Sequence, residues 1–294
     1  MSFLTTFVNG LSLGSIYAII ALGYTMVYGI AKMLNFAHGD FIMVGCYIIF
    51  LFSSNLGLPP FISILIAVVL CTVLGITTER VAYRPLRNAA SPLAVLITAI
   101  GVSYFLENLA LLIFGADTKS FSSVISWTGL SLFNGELQIQ GITIVTIVVS
   151  LLILLVLQLF VHKTKEGQAM LAVSQDRGAA MLMGIDVNKT ITLTFAIGSA
   201  LAAVAGALLA SAYPSLTPYT GAMPGIKAFV AAVLGGIGSI PGAMIGGLVL
   251  GIIEILSRTY ISSQLADAIV FGILVVVLLV KPTGILGKKI QEKV

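Results

Sequence analysis

Between residues 139 and 161, and again between 190 and 213, the chain carries no charged side chain, and residues 92–114 hold only one, Glu107. About 20 consecutive apolar residues are enough to cross the hydrocarbon core of a bilayer as a helix. Further apolar segments fall at about 11–30, 41–56, 59–79, 227–256 and 265–281. A water-facing surface cannot be built around so many such runs, because only 9% of the 294 residues are charged, against about 25% in a soluble domain. The runs are continuous rather than alternating, which favours helices over the strands of a closed barrel. The expected fold is all-α: a polytopic membrane helix bundle of about eight hydrophobic segments, forming one transmembrane domain over 1–294.

The net charge of +4 would raise the question of nucleic acid in a soluble protein. Here the basic residues sit between the apolar runs, so they bear on orientation instead and no nucleic-acid partner is expected. One set of connections holds Arg80, Arg84 and Arg87, then Lys163, Lys165, Arg177 and Lys189, then Lys281, Lys288, Lys289 and Lys293. The alternate connections hold only Lys119, Lys227 and Arg258. The first set is placed in the cytoplasm by the positive-inside rule, and the loop 115–138 and the segment 213–226 are placed outside. The start, Met1 to Thr5, lacks a basic region and a cleavage site and is expected to open a retained span.

This orientation forces segment 227–256 to leave and return on one side. Its middle reads Gly235-Gly236-Ile237-Gly238-Ser239-Ile240-Pro241-Gly242. Proline removes a helix donor and glycine favours a break. Two short half-helices meeting inside the membrane are expected, as transporters use at their central paths. A single long tilted helix with a kink is the competing arrangement. A second interruption runs from Lys32 through Asn35 and His38 to Gly39 and Asp40. Placing Gly39 on Gly242 puts Ile42 on Ile245, a faint echo of inverted repeats. Asn35, His38, Gly39, Gly235, Gly236, Gly238, Pro241 and Gly242 are therefore the candidates for a path or break. Glu107 and Asn108 lie inside a span, where polar groups are costly; Asp40 and Glu254 are expected nearer interfaces.

Small residues recur every fourth position at Gly198, Ala202, Gly206 and Ala210. GxxxG pairs occur at Gly10 and Gly14, Gly242 and Gly246, and Gly247 and Gly251. Close helix packing within the bundle is the expectation, with a second membrane chain as the other use. Cys46 and Cys71 lie in apolar surroundings without CxxC spacing, which predicts buried free thiols and no metal or disulfide site.

Catalytic signatures are missing. Gly10-Leu11-Ser12-Leu13-Gly14 fits G-x-S-x-G, but it opens a span rather than a strand-turn-helix elbow. No G-x-x-x-x-G-K-[ST] phosphate loop and no H-E-x-x-H occurs, and the only histidines are His38 and His162. No enzyme activity and no cofactor is expected, and any ATP chemistry must come from a partner.

The longest cytoplasmic connection, 162–189, is rich in helix formers over 168–183, with Gly184 as a stop. Ala169, Met170 and Val173 share a face, as do Ala180, Met181 and Gly184. Such short helices suit docking on a partner or lying on the membrane, and a solvated connector is equally compatible.

Three stretches carry a resemblance. The first is Gly23-Tyr24-Thr25-Met26-Val27-Tyr28-Gly29 followed by Asn35-Phe36-Ala37-His38-Gly39-Asp40. The second is the loop 164–187, closing on Met183-Gly184-Ile185-Asp186, then Thr194-Phe195-Ala196-Ile197-Gly198. The third runs from Lys227-Ala228-Phe229 through Gly235 to Ala243, with Lys281-Pro282-Thr283-Gly284-Ile285-Leu286-Gly287 later. In order and spacing the chain resembles the branched-chain amino acid ABC permease family, in its LivH-type branch. The resemblance implies a bacterial cytoplasmic-membrane importer of leucine, isoleucine and valine, with urea or amides as alternative cargo. It implies a second, LivM-like permease subunit, two ATP-binding subunits and an extracytoplasmic binding protein. It also implies that loop 164–187 holds the coupling helix, with Glu166, Gly167, Ala169, Met170, Val173, Asp176, Ala180 and Gly184 as the residues toward the ATPase. The family often has arginines where this chain has Gln168 and Leu171, so that interface is expected to be less ionic.

Overall fold

A computed structural model describes residues 3–87, 92–120, 127, 129–132 and 137–287. Lys288, Lys289, Lys293 and part of the loop 115–138 lie outside the described residues. Eleven α-helices follow in order: α1 (Phe3–Ala31), α2 (His38–Phe50), α3 (Pro60–Thr78), α4 (Pro92–Phe114), α5 (Gly141–Lys163), α6 (Lys165–Gln175), α7 (Arg177–Leu182), α8 (Val187–Ala212), α9 (Ala222–Gly235), α10 (Ile240–Tyr260) and α11 (Ala266–Val280). Wider π-type turns extend α2 over Leu51–Asn55 and α3 over Glu79–Tyr83. Two small antiparallel pairs, β1 (Lys119–Ser120) with β4 (Ser215–Leu216) and β2 (Leu130–Leu132) with β3 (Leu137–Ile139), are the described strands. Among the described residues six helices are long and apolar enough to span a membrane: α1, α3 with its extension, α4, α5, α8 and α10.

The apolar segments therefore became helices as expected, and their exposure sorts them. α1 is buried on nearly every side, which its uniform apolarity requires. It packs against α5, α8, α9 and α10. α4 and α5 keep Ile97, Phe105, Leu112, Leu152 and Leu155 exposed, as suits a lipid- or partner-facing rim. The small-residue stripes are used inside the chain. A Cβ on Gly14 would fall 2.8 Å from Leu248 Cα, and one on Gly10 2.9 Å from Ile252 Cα, so α1 and α10 run antiparallel in backbone contact. Gly242 and Gly246 bring α10 against α9 through Gly235 and Ala231, and Gly206 seats α8 on Ile42 and Cys46 of α2.

Segment 227–256 is divided where the glycines and Pro241 suggested. Gly236 adopts φ 106°, a conformation open to glycine, and Ser239 caps α10 by accepting from Gly242 N at 3.2 Å. The halves are unequal, however: α9 has 14 residues and α10 has 21, enough for a full crossing. The turn between them also lies at the basic end of the bundle, not at its middle. Gly238 sits against Gly29 near the end of α1, and the tail after α11 bonds to the turn, Ile285 N to Leu234 O and Leu286 N to Gly235 O, both 2.9 Å.

The interruptions inside the bundle are residues 32–37 and 213–221. Each links a long helix to a short one: α1 (29 residues) to α2 (13), and α8 (26) to α9 (14). His38 lies against Gly23 of α1, which is eight residues, or about 12 Å of helix rise, short of Ala31. The first residues of α2 and α9 touch there: a Cβ on Gly225 would fall 2.8 Å from Gly39 Cα. From this point α2 runs along α8 toward the outer end and α9 runs back to the basic end. This is the arrangement inverted repeats produce. The structure pairs Gly39 with Gly221 and Gly225, replacing the alignment of Gly39 on Gly242.

Candidate translocation path and coupling surface

Where the short helices meet, a cavity of about 230 Å³ opens. α1 contributes Tyr24, α2 contributes Gly39 and Asp40, α4 contributes Ser103 and Glu107, and α9 contributes Phe229. The rings of Tyr24, Phe36 and Phe229 close its side toward the basic end, with centroids 5.7 Å apart for Tyr24 and Phe229 and 5.9 Å for Phe36 and Phe229. His38 stands edge-on to Tyr24 at 4.6 Å. Its ring fills the space that Gly23 leaves in α1, with Gly198 of α8 also alongside. Asn35 is tied elsewhere: it accepts the Tyr83 hydroxyl at 2.8 Å, fixing the irregular segment 32–37 to the end of α3.

Of the residues singled out from sequence, His38, Gly39 and Glu107 gather at this cavity or its wall. Asn108 does not line it, and donates to Tyr104 O at 2.7 Å. Gly235, Gly236, Gly238, Pro241 and Gly242 form the turn at the basic end instead. Sequence reasoning quoted Tyr24 and Phe229 only as family markers and left Ser103 aside, because nothing local shows that residues 24, 103 and 229 converge.

At the basic end, residues 164–187 form two short helices, α6 and α7. Three side-chain caps set them: Thr164 accepts from Gly167 N at 3.0 Å, Asp176 from Ala179 N at 3.0 Å, and Asp186 from Lys189 N at 3.1 Å. Asp176 has extended φ and ψ, so it stops α6 and starts α7. Gly167 lies in backbone contact with Phe160 and Val161, which seats α6 on the end of α5. Met170, Val173 and Ala180 are buried toward the bundle, Ala169 is partly covered, and Glu166, Asp176 and Gly184 are exposed. The outward apolar groups are Leu171, Met181, Leu182 at 91% exposure and Met183 at 81%. Arg177 donates to Ala31 O, tying α7 to the last residue of α1. Nearby Glu79, fully buried, bonds Arg84, Arg87 and Thr192, the last at 2.6 Å, so two arginines of the basic set also hold α3 to α8.

Toward the outer end, Lys227 is not in a loop. It lies within α9, 3% exposed, with Nζ 2.7 Å from Glu254 of α10 and 2.6 Å from Asp267 of α11. Glu254 also accepts the Tyr17 hydroxyl at 2.9 Å and bonds Arg258. Counting Lys227 as a loop charge is corrected accordingly, and so is the interfacial placement of Asp40 and Glu254, both of which are buried within the bundle. Cys46 and Cys71 are buried free thiols whose S–H groups face the carbonyls of Gly206 and Phe41.

Residues 6–279 match the family model described as branched-chain amino acid transport system / permease component. The high-affinity branched-chain amino acid transport system permease protein LivH of Escherichia coli is 46% identical over 302 residues, covering 99% of this chain and 98% of that protein. The corresponding LivH of Salmonella typhimurium is 45% identical over 305 residues, and the permease protein BraD of Pseudomonas aeruginosa 44% over 303, each with 99% and 98% coverage.

Proposed function

The chain belongs to the branched-chain amino acid transport system permease family, and from that premise we propose that it carries leucine, isoleucine and valine across the bacterial inner membrane as one permease subunit of an ABC importer. The observation that carries this reading is identity of 44–46% to such permeases over nearly the whole length of both chains. ATP-binding and substrate-binding proteins are its partners. In detail, we take the complex to hold a second, LivM-like permease, two ATPase chains and one extracytoplasmic binding protein. The chain has no phosphate-loop motif, so hydrolysis belongs to the ATPase chains.

In this reading α6 and α7 are the coupling element. Their buried face fixes them to the bundle, and their exposed face, Leu171 and Met181 to Met183, meets the ATPase. Closure of the ATPase dimer pushes α7. Arg177 passes the push to the end of α1, and the non-helical segment 32–37 passes it to α2. Packed elements of this kind switch as rigid bodies. Residues 32–37 and 213–221 interrupt the helices and are held inside by isolated turn bonds, such as Thr220 N to Thr217 O, so they are the natural hinges.

Two measurements test this. Leu182→Asp with Met183→Asp should leave the membrane bundle folded but weaken capture of the ATPase by about 2 kcal/mol, roughly 30-fold. Unchanged co-purification would remove α7 from the interface. The reconstituted complex should accumulate leucine only with ATP. Accumulation of urea without leucine, or leucine uptake by this chain without any ATPase, would overturn the assignment.

A further inference from the structure

Three carboxylates are buried among the described residues: Asp40, Glu79 and Glu254. Glu79 is held by Arg84 and Arg87, and Glu254 by Lys227 and Arg258. Asp40 has no ion pair. It is 2% exposed, its Oδ2 has no hydrogen-bond partner, and it borders the cavity between α2 and α9. A buried carboxylate without a cation is costly and survives where something compensates it. Ser103 reaches Asp40 from α4, and Glu107 of the same helix lines the same cavity. No basic side chain lines it. Two carboxylates facing one space repel each other unless one takes up a proton or a cation lies between them.

The other wall is aromatic. Tyr24, Phe36 and Phe229 present rings to the space, which suits both a cation over a ring face and a branched aliphatic chain. A volume of about 230 Å³ is below the ~300–1,000 Å³ of sites for drug-sized ligands. It matches a molecule with only a few heavy atoms.

We propose that this cavity is a transport subsite that binds the ammonium group of a small amine with an apolar tail, Asp40 accepting from the ammonium with Glu107 and Ser103 beside it, and the Tyr24, Phe36 and Phe229 rings covering the tail. The site deepens the functional reading above and rests on it for the identity of the natural ligand, an amino acid passing between the two halves of the path. It places a recognition step in the membrane, after release from the binding protein. Glu107 and Tyr104 are only partly covered or exposed, so the subsite opens sideways toward whatever faces α4.

A single reporter tests it in the complete transporter. Ile100→Cys puts a thiol at the cavity wall, outside the groups proposed to hold the amine, while Cys46 and Cys71 are buried and add little background. A neutral methanethiosulfonate should modify it at a rate that falls by 1 + [L]/Kd as ligand fills the site, about tenfold at a ligand concentration ten times Kd. Leucine and 3-methylbutylamine should protect; 4-methylpentanoate, with the same branched tail and no amine, should not. Adding Asp40→Asn should abolish protection and Asp40→Glu should retain part of it. Equal protection by 4-methylpentanoate, no protection by either amine, or full protection in the Asp40→Asn protein would overturn the subsite. Should Asp40→Asn fail to assemble, the comparison of amine with desamino probe in the parent protein decides alone. Amine protection in a complex that accumulates no leucine would instead sink the substrate assignment and leave the subsite standing.

Discussion

Glu254→Ala is expected to strip the bundle of most of its stability. Glu254 is fully buried and its carboxylate compensates Lys227, itself 3% exposed, while accepting from Tyr17. Removing Glu254 leaves the buried Lys227 with only the part-exposed carboxylate of Asp267, which puts the cost toward the lower end of the about 3–5 kcal/mol of a fully broken buried pair. That is a large share of the ~5–15 kcal/mol that holds a domain folded. The group also joins four helices, α1, α9, α10 and α11, through Tyr17, Lys227, Glu254 and Asp267. Melting in detergent, followed by size-exclusion chromatography, should show the variant falling far below the parent. Replacing both members, Lys227→Met with Glu254→Met, should recover much of the loss. The charges left behind, Asp267 at 43% and Arg258 at 39% side-chain exposure, can turn to water. A double variant no better than Glu254→Ala would show that α9 and α10 are held by something other than this charge balance.

The same cluster marks where sequence reading stops. Lys227 was legible as a charge but not as a buried one, because its partners lie 27 and 40 residues further on. Counting basic residues gives orientation, and it treats each lysine as solvated. The apolar segments were legible because bilayer thickness fixes helix length locally, and the GxxxG pairs because four-residue spacing fixes a face. The position of the interruption in mid-bundle was not. Gly235 to Gly242 is the richest breaking signal in the chain and forms a surface turn. The segment 213–221, which enters the bundle, contains two prolines, Pro214 and Pro218, and one glycine, Gly221. What holds that segment is tertiary: β4 pairing with β1, and Gly221 against Gly39. In residues 164–187, the shared face of Met170 and Val173 was visible, but an amphipathic pattern does not say whether its apolar side meets the parent fold or a partner. The seating of Gly167 on Val161 answers that toward the fold.

Gly251→Val is expected to disrupt the bundle as severely as loss of Glu254, through geometry instead of charge. Gly251 lies in direct backbone contact with Gly14, and Gly247 with Ala18, so α1 and α10 approach without side chains between them. In lipid this closeness is the main source of attraction between helices, since apolar tails on either side are equally at home in the membrane. A Cβ at 251 would overlap the backbone of α1, and backbone cannot rotate away as a side chain can. Overpacking usually costs about 1–3 kcal/mol when side chains absorb it; here the helices must separate, so the cost should exceed that range. Gly251→Ala should already be damaging, because the first added carbon makes the overlap. Gly272→Val in α11 is the matched control: nothing lies within 4 Å of its added Cβ, and it should melt close to the parent protein. If Gly251→Val and Gly272→Val behave alike, the α1–α10 contact does not organise the fold. If they differ as expected, the contact also sets the path. Antiparallel registration of α1 on α10 fixes Gly29 against Gly238 and, two turns away, Gly23 against His38. The depth at which α2 begins, and so the position of Asp40, follows from how closely two glycine-lined helices can lie.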